Sequence, residues 1–150
     1  MNVQKDKIVM SLPAKSQYIE VVRLALYGIA VRMGFNFEDI EDLKVAVGEA
    51  CNNAVLHAYA DGEEGIMKIV FEAAPRYLRI IVQDEGRSFN SSEACNRVPV
   101  TITDKSLSEM HAGGLGLYLM QALVDDVEIR TEAGTEVILT KLLNGSGVVI

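Results

Sequence analysis

Glu49, Asn53 and His57 follow one another at intervals of four within GEACNNAVLHAY. On a helix that interval lines them along one edge. A carboxylate and an amide one turn apart can hold a water, a hydroxyl or a metal. The carboxylate can take a proton, and an amide oxygen is a hard ligand suited to Mg2+. Ala50 and Ala54 lie beside that edge and are small enough to let a ligand approach the backbone. The competing reading is a polar edge that faces solvent.

Three more groups of residues carry chemical potential. Asp84-Glu85-Gly86 closes a run in which Leu78, Ile80, Val82 and Asp84 share one parity. On a strand, Asp84 therefore points the same way as the apolar residues, where an ionised carboxylate needs donors. A ligand amino group would supply one, and a turn or cap that reaches local backbone would be the plainer use. Gly113-Gly114-Leu115-Gly116-Leu117 opens an apolar stretch. Closely spaced glycines let backbone N–H groups reach an anion, and a helix start adds positive potential. No Gly-Lys-Ser/Thr follows, so this is not a Walker A loop, and neither GxGxxG nor the HRD and DFG of eukaryotic kinases is present. Gly134-Thr135 enters the last apolar run, and Thr135 has the parity of Val137 and Leu139. Its hydroxyl would sit beside Asp84 if the two strands were neighbours.

The elements that must position these groups are legible from periodicity. Ile8–Leu12 reads as a strand ended by Pro13. A helix follows from about Ser16, with Ile19, Val22, Ala25, Leu26, Ile29 and Met33 on its buried face, and Gly34 stops it. Asn36 caps a second helix, with Phe35 and Ile40 placed as a hydrophobic staple and Glu38, Asp39, Glu41 and Asp42 in its first turns. Ile40, Leu43, Val47, Ala50, Ala54 and Ala58 form its core stripe to about Tyr59. Alternating runs at Ile66–Ala73 and Tyr77–Asp84 make a hairpin across Pro75. Residues 90–111 are polar and irregular, too long for a plain connector. A helix from Gly113 to about Leu123 and strands at Val127–Thr131 and Thr135–Leu142 complete the order, with a loose tail after Asn144. Tight turns make consecutive strands antiparallel. The expectation is an α/β two-layer sandwich, a mixed, mostly antiparallel sheet covered on one face by helices, with residues 1–150 as a single domain.

Composition narrows the classes. Hydrophobic residues make up 49% and charged residues 23% of 150 residues, as in an ordinary folded domain. The formal net charge of −7 works against nonspecific nucleic-acid binding. It would also repel a nucleotide triphosphate, so backbone N–H groups and a divalent cation would have to neutralise one. Cys51 and Cys95 are the only cysteines and lack metal-ligand spacing. No run approaches a membrane span or a signal segment, and a cytoplasmic location is expected.

The order of polar helix, strand-end Asp, long connector, glycine loop and Gly-Thr strand resembles the boxes of the GHKL ATPases. GEACNNAVLHAY resembles the N box, QDEGRSF the G1 box, HAGGLGLYLM the G2 box and GTEVILTKLL the final strand. EDLKVAVGEACNNAVLHAY and GGLGLYLMQALVDDV are similar to the anti-sigma-factor serine kinases within that family. The resemblance covers nearly the whole chain and implies a Bergerat (GHKL) ATPase fold that uses ATP and Mg2+. It implies that Glu49 is the general base for an attacking serine hydroxyl and that Asn53 coordinates the Mg2+. It implies that Asp84 accepts from the adenine amino group with help from Thr135, that Gly86 lets the backbone pass the base, and that Gly114 and Gly116 donate to phosphates. Residues 88–111 would be the ATP lid. One departure is Ser88, which stands where the general G1 box has a second glycine.

The same resemblance implies partners. Neither His57 nor His111 has the setting of an internal phosphoacceptor, so the acceptor should lie on another protein. The implied acceptor is a serine on a STAS-domain anti-sigma-factor antagonist, and the implied second partner is a sigma factor, by overall phrasing sigma-B, held by a homodimer. The sporulation anti-sigma kinase carries the same boxes, and a sigma-binding module without kinase activity is the other alternative. Arg23, off the apolar stripe of the first helix, is a candidate anchor for a partner, against the plainer reading of a solvated arginine.

Overall fold

The computed structural model describes residues 5–60, 65–84, 115–131 and 134–143, the side chains of 57–60 and 115 excepted. Strand β1 runs Asp6–Pro13, a single 3-10 turn covers Ser16–Tyr18, and helix α1 runs Ile19–Met33. Helix α2 is Phe37–Ala60, strands β2 and β3 are Ile66–Ala73 and Tyr77–Asp84, helix α3 is Leu115–Leu123, and strands β4 and β5 are Asp126–Arg130 and Thr135–Leu142.

The joint between α1 and α2 is Gly34, Phe35 and Asn36. Gly34 takes φ 96°, a left-handed conformation that suits a residue without Cβ. Its N–H donates to the Val31 carbonyl at 3.1 Å, and the Phe35 N–H donates to Ala30 at 3.1 Å. That pair of bonds is a Schellman closure, with Phe35 buried over the helix end. Asn36 then caps α2: its Oδ1 accepts from the Asp39 N–H at 2.8 Å. A cap of this kind contributes about 1 kcal/mol. Ile40 is buried as the staple requires.

The five strands form one sheet in the order β1-β2-β3-β5-β4. Every pairing is antiparallel. The sheet is therefore more uniform than the mixed one expected: after two helices the chain returns as β2 to lie antiparallel on β1, so no parallel pair forms among the described strands. β5 inserts between β3 and β4, which makes the last hairpin an extension of the first.

All the described helices lie on one face, giving the two-layer sandwich. Leu78, Ile80 and Val82 of β3, Ile69 and Phe71 of β2 and Val137 and Leu139 of β5 face Leu26 of α1, Leu43 and Val47 of α2 and Leu117 and Met120 of α3 in one core. Burying each such side chain contributes roughly 1.5–3 kcal/mol. α2 is the central element. It packs against α1, α3 and the sheet, which is why Ala46, Cys51 and Val55 are buried in addition to the expected stripe. No described helix is long and apolar enough to cross a membrane. The connector at 88–111, the tail after 144, Gly86, Gly114 and Cys95 lie outside the described residues, as does the side chain of His57.

Candidate nucleotide site

The candidate residues lie on α2, at the end of β3, at the start of β5 and at the start of α3, and α2 packs against all three of those other elements. On α2, Glu49 is partly exposed and Asn53, one turn later, is buried to 1% relative exposure. The expected polar edge is thus graded, with its carboxylate reaching solvent and its amide inside. α2 packs against α3, α1 and the sheet, and Asn53 is buried within that packing. Neither Asn53 Oδ1 nor Nδ2 has a hydrogen-bond partner among the described residues. A buried amide left so costs roughly 1–3 kcal/mol, and buried polar groups are almost always satisfied. Such an oxygen has the chemistry of a hard-cation ligand. No cluster of three His, Cys, Asp or Glu that could hold a metal exists among the described residues.

Across from α2, Asp84 and Thr135 are directly paired in the β3–β5 register. Both are buried, at 8% and 9% exposure. The parity argument is borne out: Leu78, Ile80, Val82 and Asp84 are buried while Arg79, Ile81 and Gln83 are only partly so. A carboxylate and a hydroxyl thus share one spot on the helix-facing side of the sheet.

Gly134, at the entry to β5, has a specific duty. It takes φ 97°, and a Cβ there would lie 2.5 Å from the Asp84 carbonyl oxygen. The glycine is needed for β5 to enter beside the end of β3, and so for Thr135 to reach Asp84.

Gly116 is the second residue of α3 and is buried. Its N–H belongs to the first turn, whose donors have no intrahelical acceptor, as an anion site requires.

Arg23 lies apart from this cluster, at the α1–α2 contact. Its Nη1 donates to Glu20 Oε1 at 3.3 Å and its Nε to the Lys44 carbonyl of α2 at 3.5 Å. It is neither a fully solvated arginine nor a buried one, with 34% of its side chain exposed. Close to it is Cys51, whose thiol is pushed up to about 12 by burial, with the Arg23 guanidinium pulling the other way. A thiol in that state is inert.

A helix-covered antiparallel sheet, with an amide and a carboxylate on one helix and a buried Asp–Thr pair on the strands facing it, is the frame of a nucleotide-binding phosphotransfer domain. Residues 12–141 match the family described as histidine kinase-like ATPase domain. Curated relatives named Serine-protein kinase RsbW include one from Bacillus pumilus (strain SAFR-032), 46% identical over 146 residues, covering 96% of this chain and 90% of the relative. Another, from Bacillus subtilis (strain 168), is 41% identical over 148 residues, covering 99% and 92%. A solved structure of the RsbU and RsbW domains of Rv1364c from Mycobacterium tuberculosis superposes on 91% of this chain and 32% of that one, with TM-score 0.63 and 24% identity. That likeness speaks to the fold. The chain belongs to the histidine-kinase-like ATPases and, within them, to the RsbW serine-protein kinases. It is accordingly an ATP-dependent protein serine kinase of the GHKL type.

Proposed function

We propose that this kinase uses Mg-ATP to phosphorylate a serine on a STAS-domain anti-sigma-factor antagonist, and that it also binds and inhibits a sigma factor, of the sigma-B type. The observation that carries the nucleotide half is the unpartnered Asn53 amide, fully buried one turn beyond Glu49. Asn53 Oδ1 would hold the Mg2+. When bound, that ion neutralises phosphate charge. Asp84 would accept from the adenine amino group, with the Thr135 hydroxyl completing the contact. The Gly116 N–H, with Gly114, would donate to phosphate oxygens at the start of α3, and Gly86 would pass the base. Glu49, reaching solvent at the rim, would orient the incoming serine hydroxyl and take its proton. Phosphoryl transfer asks for little more than this positioning and charge neutralisation.

The partner half rests on α1. Its buried face is Ile19, Val22, Leu26 and Ala30. Its other side exposes Val21, Leu24, Tyr27 and Val31, and Arg23 lies at the border between that side and α2. Exposed large apolar side chains with a partly exposed arginine at their edge are the composition of a binding surface, and Arg23 would be its anchor. The chain would act as one domain, as a homodimer, in the cytoplasm where sigma factors work.

The test is transfer from γ-labelled ATP with Mg2+ to a purified STAS antagonist. Acid-stable label on a serine should appear with the wild type and fall roughly 100- to 10,000-fold with Glu49→Ala, while ATP still binds. Label that persists in the variant would remove Glu49 from the role of base. An absence of label with the wild type would remove the antagonist as substrate.

A further inference from the structure

Gly48 is a glycine in the interior of α2, buried against α1. Such a position weakens a helix by about 1 kcal/mol relative to alanine, so its use calls for a close approach. The approach is made by Arg23. A Cβ on Gly48 would collide with one Arg23 guanidinium nitrogen and lie 3.1 Å from Cζ and 3.2 Å from Nε. The guanidinium therefore lies flat on the bare backbone of α2. Nε there donates to the Lys44 carbonyl, the group that accepts from Gly48 within the helix, and Nη1 is tied to Glu20 of α1. Nη2 is the nitrogen nearest the Gly48 Cβ position, and 34% of the Arg23 side chain stays exposed.

We infer that Gly48 is a positioning residue for partner recognition: its missing side chain makes the seat that holds the Arg23 guanidinium in one orientation before a partner arrives. The inference rests on the reading of Arg23 as the anchor on α1. An arginine held in place loses less rotamer freedom on binding than a free one, and it meets a carboxylate in fixed fork geometry. Because the group in the way is the far end of a flexible side chain, alanine at position 48 unseats Arg23 without breaking the fold. The helix gains propensity from the same change.

The experiment compares Gly48→Ala, Arg23→Ala and the double variant in the full chain. The readouts are thermal stability, the Arg23 Nε–H resonance by NMR, and affinity for a purified sigma factor of the sigma-B type. Gly48→Ala is expected to keep Tm within about 4 °C of wild type. It should lose the sharp Nε–H signal and weaken binding roughly 10-fold or more, toward the level of Arg23→Ala. The double variant should bind no more weakly than Arg23→Ala alone, since unseating and deletion remove the same interaction. A sharp Nε–H signal and wild-type affinity in Gly48→Ala would overturn the seat. Loss of the signal with affinity unchanged, while Arg23→Ala is impaired, would overturn the need for seating. Wild-type affinity in Arg23→Ala would instead remove the anchor itself and the inference with it, leaving the kinase reading untouched.

Discussion

Asp84 and Thr135 stand directly opposite each other across β3 and β5, both buried on the side of the sheet that meets the helices. They are far apart in sequence, and only the insertion of β5 beside β3 makes them one site. A carboxylate accepting from a ligand amino group is a charge-assisted bond, of about 1.5–3 kcal/mol. Asp84→Asn should therefore weaken ATP binding roughly 10- to 150-fold, and Thr135→Val less than 10-fold on the same scale. Titration calorimetry with ATP measures both. Unchanged affinity in Asp84→Asn would remove the residue from the adenine contact.

Asn53 offers an opposite signature in stability and binding. Its buried amide has no partner among the described residues, so the nucleotide-free fold gains little from it. Asn53→Leu, which keeps the branching of the side chain without its polar atoms, should leave Tm of the free protein equal or higher, yet abolish the Mg2+-dependent part of ATP affinity. Thermal melts with and without Mg-ATP separate these effects. A variant that melts lower alone and still responds fully to Mg-ATP would make Asn53 structural.

Gly134 joins fold and site. With φ 97° and a Cβ position 2.5 Å from the Asp84 carbonyl, Gly134→Ala must shift backbone. The expected cost is about 1–3 kcal/mol, together with weaker ATP binding, because Asp84 moves with the strand end. Denaturant unfolding and ATP titration on one sample test the pair; intact stability would show that the turn can relax.

Cys51 sets a pH dependence. Burial raises its thiol from 9.0 to about 12. The folded state thus holds its proton where the unfolded chain loses it. The stabilising contribution is fully present below about 9 and is lost as pH rises from 9 toward 12. Cys51→Val should flatten the stability profile in that window. Unfolding measured at pH 8 and pH 10.5 decides it, and equal slopes in the two proteins would refute the assignment.

Much of this was legible before the structure. The spans Ile66–Ala73, Tyr77–Asp84 and Thr135–Leu142 follow from period-two alternation and are the observed strands. Phe35-Asn36 before an acidic turn announced the start of α2, and the Asn36 cap is present. Those signals are local: each depends on a few neighbouring residues and on backbone hydrogen bonds they make or lose. The width of a buried face was not legible. A stripe through Ile40, Leu43 and Val47 says which side of α2 turns inward, but three different neighbours decide how far burial spreads, and they bury Asn53 to 1%. Arg23 was read as solvated or partner-binding, whereas Gly48 provides a third place for it to lie.

By itself, then, the sequence determined the elements, the ends of most of them to within a few residues, and which residues had the chemistry to hold a nucleotide, because periodicity, caps and turn residues act over a few positions. The tertiary structure alone decided that β5 lies between β3 and β4, so that Thr135 meets Asp84, and that α2, packed against α1, α3 and the sheet, holds Asn53 buried. Those outcomes depend on the packing of segments distant in the chain, and the free energy of such packing is a property of surfaces in contact, which no local pattern of residues encodes.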